Sequence, residues 1–330
     1  MINKKDILVR HAVFEDKGSI INLLNDVFIK QQRSRSLRDN DYFDWKFLNS
    51  PFGKSILTVS EYNGEIVGVD HLWPWKLDYR NETIKAYEAC DSAVKSEYRG
   101  NRLLQRMRTF GIDCAIDNNA ALLFNFPNNQ SLKTNINYGY HFLGKINWWV
   151  RIIKPIEVAS LYLNLKNISS KYKSDIEYKK IDLHLLEYLY KKYTPKYLLT
   201  IHRSIDFFMY RYIHQPKRNY GMISNNNEIA AIYTVNDNNG IREMVITDLI
   251  GNREKVNQLL KRVTYFAKKY DCAFIAIMSD NYLLNNWLWS MGFVRKKEKN
   301  FVVYPINDVF SDISTNFSSW NMSASMHDSI

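Results

Sequence analysis

The segment DYFDWKFLNSP at residues 41–51 returns as DFFMYRYIHQP at residues 206–216. Each runs from Asp through two aromatics to an aromatic–base–aromatic–aliphatic stretch, with Pro after two more residues. Three further landmarks follow in the same order. GNR at 100–102 recurs at 251–253, and Tyr138-Gly139-Tyr140 is echoed by Met291-Gly292-Phe293. INWWVRIIKP, ending at Pro155, is matched by NFVVYP, ending at Pro305. Four landmarks in one order, at slowly drifting spacing, predict a tandem duplication. A chain of 330 residues has room for two such copies.

Within the first copy, ILVRHAVFED begins as a strand, and SIINLLNDVF places Ile20, Leu23, Leu24 and Val27 on one helical face. ILTVSEYNGEIVGVDHLW predicts a hairpin turning at Asn63-Gly64. AYEACDSAV (86–94) follows as a strand, and NRLLQRMRTFGIDCAI as a helix with Leu103, Leu104, Met107, Phe110 and Ala115 on one side. ALLFNF is a short buried strand stopped by Pro127, and SLKTNINY a helix ended by Gly139. The second copy repeats the series with IEYKKI, LHLLEYLYKKY, the hairpin YGMISNNNEIAAIYTV, REMVITDLI, KVNQLLKRVTYFAKK, AFIAIM and NNWLWSM. Strands alternating with helices predict an α/β class. The expected domains are 1–154 and 174–308, with a linker at 155–173 and a flexible Ser/Asn-rich tail at 309–330.

Cys90, Cys114 and Cys272 lie far apart with no CxxC spacing, which argues against a zinc site or disulfide framework and for a reducing, cytoplasmic setting. The opening residues carry no signal-peptide core, and no stretch comes near the roughly 20 apolar residues of a membrane span. The formal net charge of +11 suits an anionic partner. Scattered lysine pairs such as Lys4-Lys5 and Lys268-Lys269 read as solvated faces, so the charge names no ligand.

DSAVKSEYRGNRLL, in which a strand ending at Val94 leads through EYRG into a helix, resembles the signature segment of the GNAT N-acetyltransferase superfamily. ILVRHAVFED is similar to that family's opening strand, and FPNNQS and NYGYHFLG to its later strand and helix. The "WKF..SP" and "YRY..QP" elements resemble those of double-domain members. The resemblance covers about residues 5–155 and, by repetition, 174–308. It implies a mixed sheet in two tandem GNAT-like domains, with acetyl-CoA or another acyl-CoA as cofactor and a small-molecule amine as acceptor. Double-domain relatives acylate amino-sugar precursors of surface polysaccharides, so a nucleotide-linked amino sugar is the expected acceptor. Others transfer amino acids from charged tRNA, which is the alternative enzymatic reading. A third reading is a non-catalytic nucleotide- or RNA-binding chain. A monomer or homodimer is expected.

A turn entering a helix exposes successive amide N–H groups where the dipole also favours anions. Here that turn gives Gly100, Asn101, Arg102 and Leu103 as amide donors to a pyrophosphate, with Arg99 adding charge. The resemblance adds Val94, beside the thioester, and Asn129 in FPNNQS. The family's small residues are replaced by Arg102 and Leu104, so Arg102 itself becomes a candidate phosphate contact. Glu254 at the equivalent turn would repel a pyrophosphate, so the second copy is expected to be a scaffold that helps form the acceptor cleft.

Acyl transfer to an amine needs a base, donors for a developing oxyanion and a proton for the leaving thiolate. Glu88 stands where some family members carry their base. Asp91 differs from it in strand parity and so should face the other side. His71, in GVDHLWPW, is the rival base. Asn135 occupies the family's acid position, leaving Tyr138 or Ser131 as substitutes. Trp73, Trp75, Trp148 and Trp149 offer an aromatic wall for a sugar, though packing is the better reading. With no cysteine motif, direct attack in a ternary complex is expected.

Overall fold

Hairpin signals such as Asn63-Gly64 settle local pairing, but the last strand of each repeat is placed by long-range partners that no local signal names. In the computed structural model, residues 6–30, 37–100, 102–162, 175–238, 241–279 and 282–327 are described. The chain divides into one unit of Met1–Leu143 with Phe301–Phe317 and another of Gly144–Asn300 with Ser318–Ile330. The expected boundaries at 154 and 308 therefore do not mark the compact units. Val302–Pro305 ladders onto Leu122–Asn125 within the first unit, and Asn147–Ile152 onto Phe274–Ser279 within the second.

The first unit runs β1 (Leu8–His11), α1 (Lys17–Lys30), α2 (Asn40–Phe43), β2 (Ile56–Tyr62), β3 (Glu65–Tyr79), β4 (Glu82–Val94), α3 (Leu103–Asp117), β5 (Leu122–Asn125) and α4 (Asn129–Asn137), then enters β6 (His141–Ile152). Its strands lie in the order β1-β2-β3-β4-β5. All these pairs are antiparallel except the parallel β4–β5 pair. Asn63 and Gly64 both take positive φ, 49° and 78°, as the tight β2–β3 turn requires. On one face, Ile20, Leu23 and Leu24 of α1 pack with Val59, Val69 and Phe47. On the other, Ile112 and Ala115 of α3 pack with Leu72, Tyr87 and Ala89.

The second unit holds α5 (Pro155–Tyr162), α6 (Leu183–Tyr193), β7 (Thr200–Ile201), α7 (Ile205–Phe208), β8 (Gly221–Asn225), β9 (Ile229–Asn238), β10 (Ile241–Gly251), α8 (Val256–Lys269), β11 (Cys272–Ser279), α9 (Tyr282–Ser290) and the start of β12 (Val294–Pro305). Its strands follow the order β6-β11-β10-β9-β8. The strands β10 and β11 pair in parallel and are joined through α8.

The two copies of the repeated aromatic segment take the same unusual shape. Asp39 caps α2 through the Tyr42 amide (3.0 Å), and Ser204 caps α7 through that of Phe207 (3.3 Å). Each short helix then widens into a π-turn, Asp44–Leu48 and Met209–Ile213. A π-turn pushes its base inward, and Lys46 and Arg211 are both fully buried.

Two expectations for irregular segments change. Residues 155–162 of the linker are helical, while 163–173 lie outside the described residues. The tail is folded through residue 327. Trp320, Met322 and Met326 are buried, and Ser323 and Ser325 meet Arg203 (2.7 and 3.4 Å). Its apolar residues have no helical or strand period because they sit in short 3-10 turns, which pattern reading misses.

Candidate active site

Strands β4 and β5 pair only over Ala86–Glu88 with Leu122–Phe124. Beyond that rung β4 continues to Val94 while β5 ends at Asn125. The stretch Ala89–Val94 is thus laddered to β3 on one edge and has parted from β5 on the other. Glu88 occupies the last shared rung, opposite Trp73 on β3 and Phe124 on β5, and is 1% exposed.

The β3–β4 register breaks between the Val69↔Ala93 and His71↔Cys90 pairs, and Asp91 takes φ +44° there. Such a bulge inserts an extra residue and resets which side chains face which way. The expectation that Glu88 and Asp91 face opposite sides therefore fails. Directly opposed residues share a face, which puts Glu88 with Trp73 and Cys90 with His71. Asp91 reaches the same side, bonding Lys46 (2.5 Å) and Arg38 (2.6 Å). Ser92 turns to the α3 side, where its hydroxyl donates to Asp70 (2.5 Å) and Arg108 forks onto Asp70 and donates to the Tyr140 hydroxyl (2.9 Å).

Burial would push the Asp91 carboxyl up, but the Lys46 ammonium and Arg38 guanidinium outweigh it and hold the group well below the usual carboxylate range. A carboxylate so held is a weak proton acceptor. His71 is fully buried and stacked on Phe47, with Nε2 3.0 Å from the Ser55 hydroxyl and Nδ1 3.4 Å from the Cys90 sulfur. His71, Cys90 and Asp91 bring one donor atom each within 4.8 Å of one another. Arg38 and Lys46 already sit on the two Asp91 oxygens, and their positive charges would oppose a metal ion there.

After Val94 the chain makes a 3-10 turn at Ser96–Tyr98, and Arg99 Nε donates to the Val94 carbonyl (3.2 Å). Gly100 follows at φ +80° and Arg102 at φ +55°, and α3 begins at Leu103. No side chain caps α3, and no acid lies in its first turn. Its leading amides are thus free of the usual side-chain acceptor, as an anion site requires. Asn101 lies outside the described residues.

The model of the GNAT acetyltransferase domain family matches residues 9–142, the span that holds all of these features. That match spans 134 of the 330 residues and supports an acyltransferase. Solved structures agree on the fold. A GCN5-related N-acetyltransferase from Anabaena variabilis aligns with TM-score 0.65 at 12% identity, over 94% of this chain and 75% of that one. An Enterococcus faecalis protein described as a probable N-acyltransferase aligns with TM-score 0.65 at 11% identity, over 91% and 72%. Saccharomyces cerevisiae N-myristoyltransferase with bound myristoyl-CoA aligns with TM-score 0.60 at 12% identity, over 92% and 84%. No curated protein matches the chain.

The remaining candidates are placed unevenly. Tyr138 closes α4 and is half-buried; burial raises its phenol, against the pull of nearby Arg108, which keeps it protonated at neutral pH. Asn135 is tied to Asn125 (3.2 Å) and to the Ser131 carbonyl (2.8 Å). The Ser131 hydroxyl bonds Asn128, the α4 cap (3.0 Å), so both residues hold the helix in place. Asn129 is exposed at the first residue of α4. Trp73 and Trp75 are fully buried against each other, 4.8 Å between centroids, and act as core, not as an open wall. Trp149 is likewise buried in the core of the second unit, while Trp148 is half-buried.

Sequence reading missed Arg38, Lys46 and Cys90. A base framed by aromatics in both copies of the repeat was the available signal for Lys46. The repeat names the base but gives no sign of its burial. In the second unit, β10 and β11 part after Ile246↔Ile277, and a cavity opens there, lined by Asp248, Arg203, Gly251, Arg253, Met278 and Ser323. Asp248 stands three residues before the end of its strand, as Asp91 does, and accepts from Arg203 (2.8 Å), Tyr212 (2.6 Å) and Ser325 (3.0 Å).

The positive φ of Arg102 yields a test. Arg102→Gly relieves about 1 kcal/mol of left-handed strain and adds a similar backbone-entropy cost of roughly 0.5–1 kcal/mol. The thermal midpoint should barely move. If the guanidinium grips a phosphate, acetyl-CoA affinity in calorimetry should fall roughly tenfold or more, since such bonds are worth about 1.5–3 kcal/mol. Tighter binding would show that the side chain obstructs the site.

Proposed function

We propose that the chain is an acyl-CoA-dependent N-acyltransferase of tandem GNAT type. Its acceptor is the amine of a small molecule such as an amino-sugar nucleotide, as in cytoplasmic steps of surface polysaccharide synthesis. The observation that carries this reading is the parting of β4 from β5 immediately before an uncapped, acid-free helix start. Backbone donors of Ala89–Val94 face the gap from one side, and the leading amides of α3 lie beyond it. That arrangement suits a pantetheine arm followed by a pyrophosphate. The yeast N-myristoyltransferase of similar fold, with its bound myristoyl-CoA, supports an acyl-CoA cofactor.

An acyl-CoA supplies an activated thioester. The protein's own contributions are distinct. Glu88, on the last rung, takes a proton from the acceptor's ammonium and so frees the amine to attack. The Val94 amide or a neighbour donates to the thioester oxygen. Protonated Tyr138 is the candidate acid for the departing thiolate. Asp91, locked to Lys46 and Arg38, positions the bulged strand. In the second unit Glu254 stands in a turn capped by Asn252 (3.1 Å), which supports a scaffold role over a second phosphate site.

The test is thermal shift with acetyl-CoA, then thiol release with a panel of amines including amino-sugar nucleotides. Arg99→Glu should abolish the shift while circular dichroism stays unchanged, because Arg99 is an exposed side chain on the phosphate turn. Stabilisation by charged tRNA and none by any acyl-CoA would overturn the proposal.

A further inference from the structure

We propose that Cys90 and His71 form a nucleophilic dyad that accepts the acyl group from the thioester before the amine receives it. The inference rests on the acyl-CoA reading above and adds a covalent step to it. It replaces the direct attack expected when no cysteine motif was visible in the sequence.

Cys90 lies two residues beyond Glu88, in the part of β4 that β5 has left. Its sulfur is 3.4 Å from His71 Nδ1, and the opposite ring nitrogen is 3.0 Å from the Ser55 hydroxyl. One tautomer serves both contacts, with Nδ1 accepting from the thiol and Nε2–H donating to Ser55. The ring is fixed by stacking on Phe47, 4.3 Å between centroids. Nucleophile, base and a group that orients the base are the parts an activated thiol needs. Sequence spacing could not show them, because they meet across the β3–β4 ladder.

Charged groups of both signs lie beside the dyad. An Asp91 oxygen lies within 4.8 Å of both partners, and Asp91 carries two cations, Lys46 and Arg38. Glu88, two residues back on the same face of β4, adds a second carboxylate to these two cations, so His71, in direct contact with the sulfur, is the group placed to take the thiol proton. The other cysteines are differently placed. Burial pushes the Cys272 thiol up to about 12, and burial with Asp117 and Asp113 raises that of Cys114. Cys114 also has a histidine at 3.5 Å, His11, but sits on α3 away from the strand gap.

The step balances. The Cys90 sulfur attacks the thioester carbonyl as its proton passes to His71 Nδ1. The bond to the coenzyme sulfur breaks, and that thiolate takes the proton, leaving acyl-Cys90 and free thiol. The amine then attacks acyl-Cys90 as Glu88 takes its proton, the carbon–sulfur bond to Cys90 breaks, and Glu88 returns that proton to the departing sulfur, restoring the thiol. A thioester is exchanged for a thioester, so no external energy source is needed.

The experiment mixes the purified chain with acetyl-CoA and no acceptor. A burst of one free thiol per chain is expected, with one acetyl group mapped to Cys90 and removed by neutral hydroxylamine. Cys90→Ala should lose the burst and slow turnover by roughly a hundredfold or more, while acetyl-CoA still raises its thermal midpoint. Cys90→Ser, closer in volume, is the second variant should Ala unfold the strand. His71→Gln should slow the burst itself. A Cys90→Ala protein that binds acetyl-CoA and turns over at the wild-type rate would overturn the dyad and leave the acyltransferase reading standing. An adduct confined to Cys114 would also overturn it. Absence of any acetyl-CoA binding would remove the reading on which the dyad rests.

Discussion

Lys46→Met is expected to destabilise the first unit by about 3 kcal/mol, the lower end for removing one partner of a buried ion pair. Lys46 is 0% exposed, its ammonium lies 2.5 Å from Asp91, and its side chain also packs 4.9 Å from the Trp73 ring. Methionine keeps the volume, so the loss is electrostatic and not a cavity effect. Asp91 retains Arg38, which is why the cost stays near the lower end. The sign of the pH dependence follows from the Asp91 carboxyl being held below its ordinary value. Its contribution is fully present above the unfolded carboxyl pKa of about 3.9 and is lost as pH falls towards the folded value. The gap between wild type and Lys46→Met in urea unfolding should therefore be widest at neutral pH and should narrow as the pH drops below about 4. Adding Asp91→Asn to Lys46→Met should recover part of the loss, because no uncompensated carboxylate is then buried. An equal gap at both pH values would show that Lys46 acts through packing alone.

The architecture was legible because its signals are local. Asn63-Gly64 fixes a hairpin, Gly139 ends a helix, and the periodicity of α1 and α3 selects the faces that pack on the sheet. The turn after β4 was legible for the same reason, since EYRG and the helix behind it are contiguous. The face of β4 that carries Glu88 and Cys90 was legible only in part. Strand parity sent Asp91 away from Glu88, and one inserted residue in β4 brought it back. A bulge carries no Gly or Pro here, so nothing in CDSAV announces it. The ion pairs of Asp91 span 45 and 53 residues, and the Cys90–His71 contact spans 19. Contacts at such separations depend on register, which a one-residue slip changes completely. The ending strands failed for a related reason. Val302–Pro305 and Asn147–Ile152 read correctly as strands, but their partners are chosen by tertiary pairing.

Glu88→Gln is expected to lower kcat/KM by about a hundredfold to ten-thousandfold, the range for losing a general base. The substitution preserves size and the packing against Trp73 and Phe124, so the fold and the acetyl-CoA thermal shift should be retained. What it removes is an oxygen able to hold a proton at the rung where the strands part. An amine acceptor is mostly protonated at neutral pH, and the carboxylate is needed to take that proton. Raising the pH supplies free amine without the carboxylate, so the deficit of Glu88→Gln should shrink as pH rises. Loss of packing would produce no such recovery. The covalent step sharpens the expectation, because acylation of Cys90 uses His71 and only the amine half-reaction uses Glu88. Glu88→Gln should therefore still release one thiol in the burst and then accumulate acetyl-Cys90 when acceptor is added. His71→Gln should show the reverse, a slow burst with no accumulated adduct. Equal behaviour of the two variants would mean that both residues serve a single step, and the division of labour between the vertex carboxylate and the dyad would be wrong.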